Sequence, residues 1–172
     1  NMPEVFARVR CVQEMRRASA KVPTQQKANT PTLFTENRQP LSGEYLAIPR
    51  TSSENRRYLP IGYLSSTVIA ANDLQMVPNA SRLEFGVVTS AMHKAWVDVT
   101  AGRLESRIRY SVKFSYNTFP WPDLATAAPS TGEENPTPTR DDKLRAAIET
   151  AAQGVLDARA AHPESSLADL YD

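Results

Sequence analysis

The chain has 172 residues, of which 41% are hydrophobic, and a net charge of +1, which fits one domain of ordinary size with an appendage. No apolar run approaches the roughly 20 residues that a membrane-spanning helix needs, and arginines interrupt the apolar stretch at the start, so neither a transmembrane segment nor a signal peptide is predicted. The single cysteine, Cys11, excludes an internal disulfide and a cysteine-rich metal site, and it favours a cytoplasmic location.

The small net charge hides an asymmetry along the chain. Residues 1–122 contain 16 Lys and Arg against 9 Asp and Glu, or +7, whereas residues 123–172 contain 4 against 10, or −6. A basic body of this kind steers polyanions towards it. Charge alone does not decide between a domain that binds nucleic acid and a basic domain that binds no charged partner.

The first predicted element is a helix over residues 3–20, because apolar residues recur there at helical spacing. A polar stretch with Pro23, Pro31 and Pro40 follows, and we expect a loop with one short turn at residues 24–28. The apolar residues of the helix are Val5, Phe6, Val9, Val12 and Met15.

Three short stretches of β character come next. Residues 45–48 form an apolar run, and residues 58–64 and 67–70 are rich in aromatic and β-branched residues. These stretches predict strands of a hairpin or meander, with Asn72 and Asp73 as a turn.

Residues 81–101 return to helical spacing. Ser81 is a plausible N-cap, with Glu84 three residues later as in a capping box, and Gly102 is a natural residue to end the helix. The predicted apolar face consists of Val88, Met92, Ala95, Trp96 and Val99.

The chain then alternates between β character and aromatic, proline-rich composition. Residues 104–114 predict a strand, and residues 116–122 close the domain, with Phe119 and Trp121 in its core. Residues 123–139 have the composition of a linker.

A second convincing helix is predicted over residues 141–160, with Asp141 or Asp142 at its start. Leu167 and Leu170 then begin an apolar pattern that the chain end interrupts, which suggests a piece of a longer protein. The apolar face of this helix consists of Leu144, Ile148, Ala151, Val155 and Ala158.

These elements predict an α+β fold with an N-terminal helix, a small mixed or antiparallel sheet packed against a central helix, and a C-terminal helical appendage. The predicted organisation is one domain at residues 1–122, a linker at 123–139, and the start of a helical C-terminal region at 140–172.

Motifs that carry catalysis or bind cofactors are missing from the sequence. There is no HExxH, CxxC, GxGxxG or GKS/GKT motif, and the six glycines are scattered. Residues 135–137 resemble an Asn-Pro-Pro-aromatic motif only superficially, since the second proline and the aromatic residue are absent. We therefore predict no catalytic residue, metal or cofactor in this chain, and His93 is expected to be a surface or core-edge histidine.

The strand predicted around residues 103–111 has two different faces. Because side chains alternate along a strand, Glu105, Arg107 and Arg109 point the same way. Arginine can donate two hydrogen bonds to guanine, and glutamate can accept one from the amino group of cytosine. This face therefore suits base readout in DNA, although a solvated, salt-bridged strand face explains the same pattern. The opposite face contains Leu104, Ser106, Ile108 and Tyr110.

A second candidate is the polar loop at residues 50–57, which combines three arginines with hydroxyl groups. Such side chains suit contacts to DNA phosphates, which position a protein without reading sequence. An ordinary exposed loop is the alternative. The candidate phosphate contacts are Arg50, Ser52, Ser53, Arg56, Arg57 and, on the predicted central helix, Lys94.

Several of these segments, in this order, resemble the target-recognition domain of type IIL restriction–modification enzymes, the MmeI-like family of adenine-N6 DNA methyltransferases. The segments are residues 45–62, 85–96, 102–111 and 116–122. Residues 156–159 and 167–172 resemble the start of that family's helical C-terminal region. The resemblance covers residues 3–122 and resumes after the linker.

The resemblance implies that positions matching Glu105, Arg107 and Arg109 contact bases, and that a further readout position falls near Asn72 and Asp73. It makes double-stranded DNA the expected partner of this chain. Enzymes of this family carry their S-adenosylmethionine site and catalytic motif upstream, so this chain inherits the recognition role only. A methyltransferase domain of the same parent chain is then the second expected partner, with no membrane involved.

Two interpretations follow from the sequence. The first is a DNA sequence-recognition module of a larger methyltransferase, which is non-catalytic by itself. The alternative is a protein-interaction or scaffold module of a DNA-defence assembly, in which the charged strand face meets an acidic protein.

Overall fold

The structure is a computed structural model that describes residues 2–34, 38–124 and 138–171. The chain divides into two compact units, residues 1–39 and residues 40–172. Most of the predicted linker, residues 125–137, lies outside the described residues. The domain boundaries proposed from composition stay a prediction. Within the described part, no helix is both long and apolar enough to cross a bilayer.

The first unit consists of helix α1 (Pro3–Arg17), helix α2 (Val22–Gln26) and a 3₁₀ turn (Lys27–Asn29). Its buried anchor is an arginine: the Arg16 guanidinium donates to the carbonyls of Lys27, Thr30 and Leu33 at 2.8–3.0 Å. Helix α1 ends three residues earlier than predicted, and several of its apolar side chains are exposed. The exposed apolar residues of this helix include Val5, Phe6 and Met15.

The second unit contains a three-stranded antiparallel sheet in the order β3-β1-β4. Strand β1 (Glu44–Pro49) is central, and the edge strands are β3 (Gly62–Ser65) and β4 (Leu74–Pro78). The apolar run at residues 45–48 lies in a strand, as predicted; β1 pairs with a neighbour on each side, and the run is buried. The sheet is therefore organised around the most apolar segment of the chain.

The prediction of a strand at residues 67–70 is wrong. This segment is a turn followed by irregular chain, and Val68 and Ile69 are exposed despite their high β propensity. The predicted turn at Asn72 and Asp73 exists, but it leads into β4, which the sequence did not indicate.

A second antiparallel sheet has the order β2-β6-β5. It consists of β2 (Thr51–Ser52), β5 (Gly102–Leu104) and β6 (Arg107–Arg109). The prediction was one small mixed or antiparallel sheet, whereas the structure has two antiparallel sheets. The overall α+β class is confirmed.

Arg50 joins the two sheets. It lies between β1 and β2, and its N–H donates to the Asp73 carbonyl at 2.8 Å. Its own carbonyl accepts from the Tyr110 N–H, also at 2.8 Å. The hydrogen-bond ladders of both sheets therefore meet at one residue.

The helix predicted at residues 81–101 is two helices, α3 (Arg82–Val88) and α4 (Ala91–Thr100). The capping box of Ser81 and Glu84 is confirmed. The break arises because Ser90 caps α4: its hydroxyl accepts from the His93 N–H at 3.1 Å.

The break also rotates the buried face of α4 away from the predicted one. His93, Lys94 and Val97 are buried, whereas Met92 and Val99 are exposed. Gly102 begins β5 and does not cap the helix in a left-handed conformation. The predicted apolar face and the predicted role of Gly102 were both wrong, because they assumed one continuous helix over residues 81–101.

A π-helical turn (Val112–Tyr116) follows β6 and leads to a cluster of aromatic rings. Phe119 is buried and packs edge-on against His93, Trp96 and Trp121 at centroid distances of 4.7–6.2 Å. Phe119 is thus a core residue, as predicted, and Trp121 packs against that core.

Helix α5 (Arg140–Ala160) agrees with the predicted helix at 141–160 and begins at a capping box of Thr139 and Asp142. It packs on α3, where the small residues Gly86 and Ala152 allow close approach of Ile148. The packed face is rotated from the predicted one, because Ala151 and Ala158 are exposed.

The segment after α5 folds back towards the start of β3, and Arg159 makes most of the contacts that hold it there. The Arg159 guanidinium donates to the Ile61 carbonyl at 2.8 Å and to the Tyr171 hydroxyl, and it stacks on the Phe85 ring at 5.3 Å. Leu167 packs against Gly62, 3.3 Å from the position of a Cβ there. One arginine thus connects α5, α3, the start of β3 and the last residues of the chain.

Replacing Arg159 with Ala should release the segment at residues 162–171. We expect a loss of about 1–2 kcal/mol of stability, because two hydrogen bonds disappear together with the cation–π contacts to the rings of Phe85 and Tyr171. Hydrogen exchange of the amides in 162–171 should accelerate. The matched control is Arg140→Ala, an exposed arginine at the other end of α5. Unchanged exchange in the Arg159 variant would refute this role.

Candidate nucleic-acid interface

The predicted single strand at residues 104–114 is in fact a hairpin. Strands β5 and β6 pair with Leu104 opposite Arg107, so Glu105 and Ser106 form a two-residue turn. Glu105 has a φ of +59°, the left-handed region that non-glycine residues rarely adopt. The predicted row of Glu105, Arg107 and Arg109 along one strand is therefore wrong for Glu105.

The hairpin nevertheless brings Glu105 and Arg107 together. Because the turn folds the glutamate back beside β6, its carboxylate lies 3.0 Å from the Arg107 guanidinium. The two side chains are 79% and 48% exposed. Arg107 and Arg109 flank Ile108, which is fully buried, so both arginines lie on the exposed face of β6.

A second acidic residue, Glu54, reaches the tip of the hairpin. The pKa of Glu54 is lowered by a hydrogen bond from Ser106, by its own backbone N–H, and by the nearby charges of Arg103 and Arg107. Sequence reasoning missed Glu54, because nothing in its local composition indicates a contact with a hairpin some 50 positions later.

Two of the predicted phosphate contacts are buried. The Ser52 residue is 3% exposed and pairs with Ile108 across the sheet. Lys94 is 9% exposed, and its ammonium group is held by Asp98 at 2.7 Å. Neither side chain is presented to a polyanion, since one is inside the sheet and the other is neutralised by an adjacent carboxylate.

The other predicted phosphate contacts are more accessible. Ser53 accepts from the Asn55 N–H at 3.2 Å and Arg56 is partly exposed, so both remain near the surface. Arg57 stacks on the Tyr58 ring at 5.5 Å and lines a cavity of about 560 Å³ beside the end of α5.

The structure brings Arg50, Asp73 and Arg109 into one region. The Arg50 guanidinium donates to the Asn72 carbonyl at 3.1 Å, in addition to the backbone bond between Arg50 and Asp73. Arg109 pairs with Thr51, the residue after Arg50, across β2 and β6. The predicted readout turn and the predicted readout strand are thus neighbours.

Beneath the exposed face of β6 lies a buried pair, His93 and Tyr110, with the imidazole Nε2 3.1 Å from the phenol oxygen. Burial lowers the pKa of His93 to about 4 and raises that of Tyr110 far above its usual value. His93 is therefore a neutral core residue and not at the surface. Among the described residues, no group of three or more His, Cys, Asp or Glu could hold a metal ion.

Comparison with known proteins gives the family of the chain. The family model described as "MmeI, target recognition domain" matches residues 1–123, and that described as "MmeI, C-terminal domain" matches residues 140–172. The match identifies the α+β domain with the exposed charged hairpin as a target-recognition domain. The chain belongs to the MmeI family, and it matches that family's target-recognition domain and, after residue 139, its C-terminal domain.

Two relatives show how similar the chain is to known proteins and how much of them it covers. A solved structure of the type IIL restriction–modification enzyme MmeI in complex with DNA is 44% identical, with a TM-score of 0.77 over 98% of this chain. DNA methyltransferase A of Bacillus subtilis (strain 168) is 33% identical over 132 residues, or 77% of this chain. The chain spans 20% of the first relative's chain and 15% of the second.

Proposed function

We propose that this chain is the DNA-reading module of a larger S-adenosylmethionine-dependent adenine-N6 methyltransferase, non-catalytic by itself. One observation carries the proposal. In a chain of the target-recognition family, Glu105 and Arg107 form an exposed pair at the tip of a hairpin. This pair combines the acceptor and the donor that the two bases of a C·G pair require in the major groove.

The Glu105–Arg107 ion pair is weak enough to be exchanged for contacts with DNA bases. An exposed ion pair contributes at most about 1 kcal/mol, because water screens it. A good bidentate contact between arginine and guanine discriminates against a wrong base by roughly 1–3 kcal/mol. The cost of separating Glu105 from Arg107 is therefore no greater than the free energy by which such a contact discriminates between bases.

Arg109 and Asp73 form a second reading group. The backbone of Arg50 is hydrogen-bonded to Asp73 and to Tyr110, the residue after Arg109, so the turn and the strand would face one stretch of the duplex. Phosphate contacts from Arg50, Ser53, Arg56 and Arg57 would set the register without reading sequence.

The chemistry of methyl transfer belongs to another part of the parent protein. S-adenosylmethionine and the catalytic motif are expected in an upstream domain, which would act on an adenine flipped out of the duplex. The present chain would place that domain over its site by binding double-stranded DNA. A cytoplasmic setting follows from this role.

A charge swap at the hairpin tests the proposal. The double variant Glu105→Lys with Arg107→Asp should select different sequences from a random duplex library, with a shift of roughly 5- to 100-fold at one base pair. Its charge-matched control is Lys143→Asp with Glu164→Lys, two exposed positions on and after α5. The control should retain the wild-type preference.

An unchanged preference in the hairpin variant would remove Glu105 and Arg107 from readout. A wild-type chain with no affinity for duplex DNA at low salt would overturn the proposed function as a whole. Capture of an acidic protein by the hairpin, resistant to competing duplex, would then favour the interaction-module alternative.

A further inference from the structure

A groove of about 370 Å³ opens between strand β4 and the π-helical turn. Arg109 lies at its edge, on the strand that carries Arg107. The polar and charged residues that line the groove are Arg50, Gln75, Arg109, Ser111 and Lys113, with Phe114 beside them.

The groove is basic. Three cations line it, and none of its described lining residues carries a carboxylate. Arg50 is held by the Asn72 carbonyl, whereas Arg109 and Lys113 have no acidic partner among the described residues. The groove therefore concentrates positive charge without an internal counter-charge, which is the electrostatic signature of an anion site.

Lys113 is held at the groove by an aromatic ring. Its ammonium group lies 5.3 Å from the centroid of the Phe114 ring, and Phe114 is 56% exposed. A cation over an exposed ring keeps its charge available to a ligand, because the ring does not neutralise it. Phe114 also offers an apolar surface of the kind that a sugar ring can pack on.

We propose that this groove binds one backbone phosphate of the DNA, with Lys113 as the principal cation and Arg50 behind it. The inference rests on the proposed function and adds a contact that the sequence did not indicate. A lysine is a flexible point charge that suits a phosphate, and it lacks the planar fork that recognises a base edge. A phosphate held next to Arg109 would fix the distance of strand β6 from the bases.

The test uses the 172-residue chain and measures affinity for several unrelated duplexes across a salt series. Lys113→Gln should weaken binding roughly fivefold on every duplex and lower the salt slope by about one, the effect of a single lost phosphate. Lys113→Arg should keep most of the affinity and the slope. The matched control is Lys143→Gln, an exposed lysine on α5 that does not line the groove.

Three outcomes are informative. A Lys113→Gln variant that behaves like Lys143→Gln overturns the phosphate site, and the proposed function survives if the wild type binds. A loss confined to one sequence also overturns it, because Lys113 would then read a base. If the wild type fails to bind any duplex, the proposed function and the phosphate site both fail.

Discussion

Gly86→Val should destabilise the second unit by about 3 kcal/mol or more, with a large fall in the thermal midpoint. A Cβ at Gly86 would lie 2.8 Å from the Cγ2 of Ile148 and 3.2 Å from its backbone carbonyl oxygen. Both atoms belong to α5, and a β-branched side chain in a helix has little rotamer freedom to move aside. Overpacking of this kind typically costs about 1–3 kcal/mol for added methylene groups, and valine adds two further methyl groups.

Smaller changes separate the clash from general effects of glycine replacement. Gly86→Ala should lose the gain of about 1 kcal/mol that alanine normally brings to a helix interior. Ile148→Ala should partly rescue Gly86→Ala, so the double variant should be more stable than the sum of the single effects. Gly154→Ala on α5 is the control and should stabilise, because no atom of the described residues, apart from its own chain neighbours and helix backbone, lies within 4 Å of its Cβ position. Denaturant unfolding of the four variants decides, and a stabilising Gly86→Ala would contradict the close contact.

The second large effect is a loss of stability in mild acid, caused by His93. Burial lowers the pKa of this residue from 6.5 to about 4 in the folded chain. Below pH 6.5 His93 binds a proton in the unfolded chain but stays neutral in the folded chain, so the free energy of unfolding falls as the pH decreases. The contribution is complete above pH 6.5 and decreases until about pH 4, with a total of about 3 kcal/mol.

Measuring the free energy of unfolding between pH 7.5 and 5 separates the contribution of His93 from that of the carboxyl groups. We expect the free energy of unfolding to fall by about 2 kcal/mol over this range. The carboxyl groups with lowered pKa, such as those of Glu54 and Glu84, have ordinary values of 4.5 and contribute only in stronger acid. His93→Gln should flatten the pH dependence, whereas His162→Gln, which alters an exposed histidine, should leave it intact. A wild-type stability that does not change between these pH values would contradict the buried, neutral His93.

The features predicted well from the sequence are local ones. The capping box at Ser81 was predicted because it depends on side chains three residues apart, and α3 begins at that signal. The start of α5 was predicted to within one residue, but its capping box was not. The strand at residues 45–48 was visible as a continuous apolar run, which is the pattern expected where both faces of a strand are covered. Thr139 itself was not named, since Asp141 and Asp142 appeared to be equally good starts.

The features predicted badly depend on the tertiary structure. The turn at Glu105 and Ser106 has neither glycine nor asparagine, so no common turn signal interrupts residues 104–114. The burial of Lys94 depends on how α4 packs, and the break at Ser90 changed which face of that helix is buried. Its ion pair with Asp98, one helical turn further, is a local contact that the sequence analysis overlooked. The resemblance to a family located Glu105 and Arg107, and only the coordinates showed that they meet across a turn.

The left-handed backbone at Glu105 limits which side chains can occupy a reading position. Asn, Asp and Gly adopt this conformation readily, whereas Val, Ile and Thr are strongly disfavoured. A glutamate there costs on the order of 1–2 kcal/mol, which the remainder of the hairpin must offset. If this residue reads a base, the backbone conformation limits which amino acids can replace Glu105, whatever base they would contact. Arg107, in ordinary strand geometry beside it, carries no such restriction, so the two halves of one reading pair would differ in how freely they can diversify.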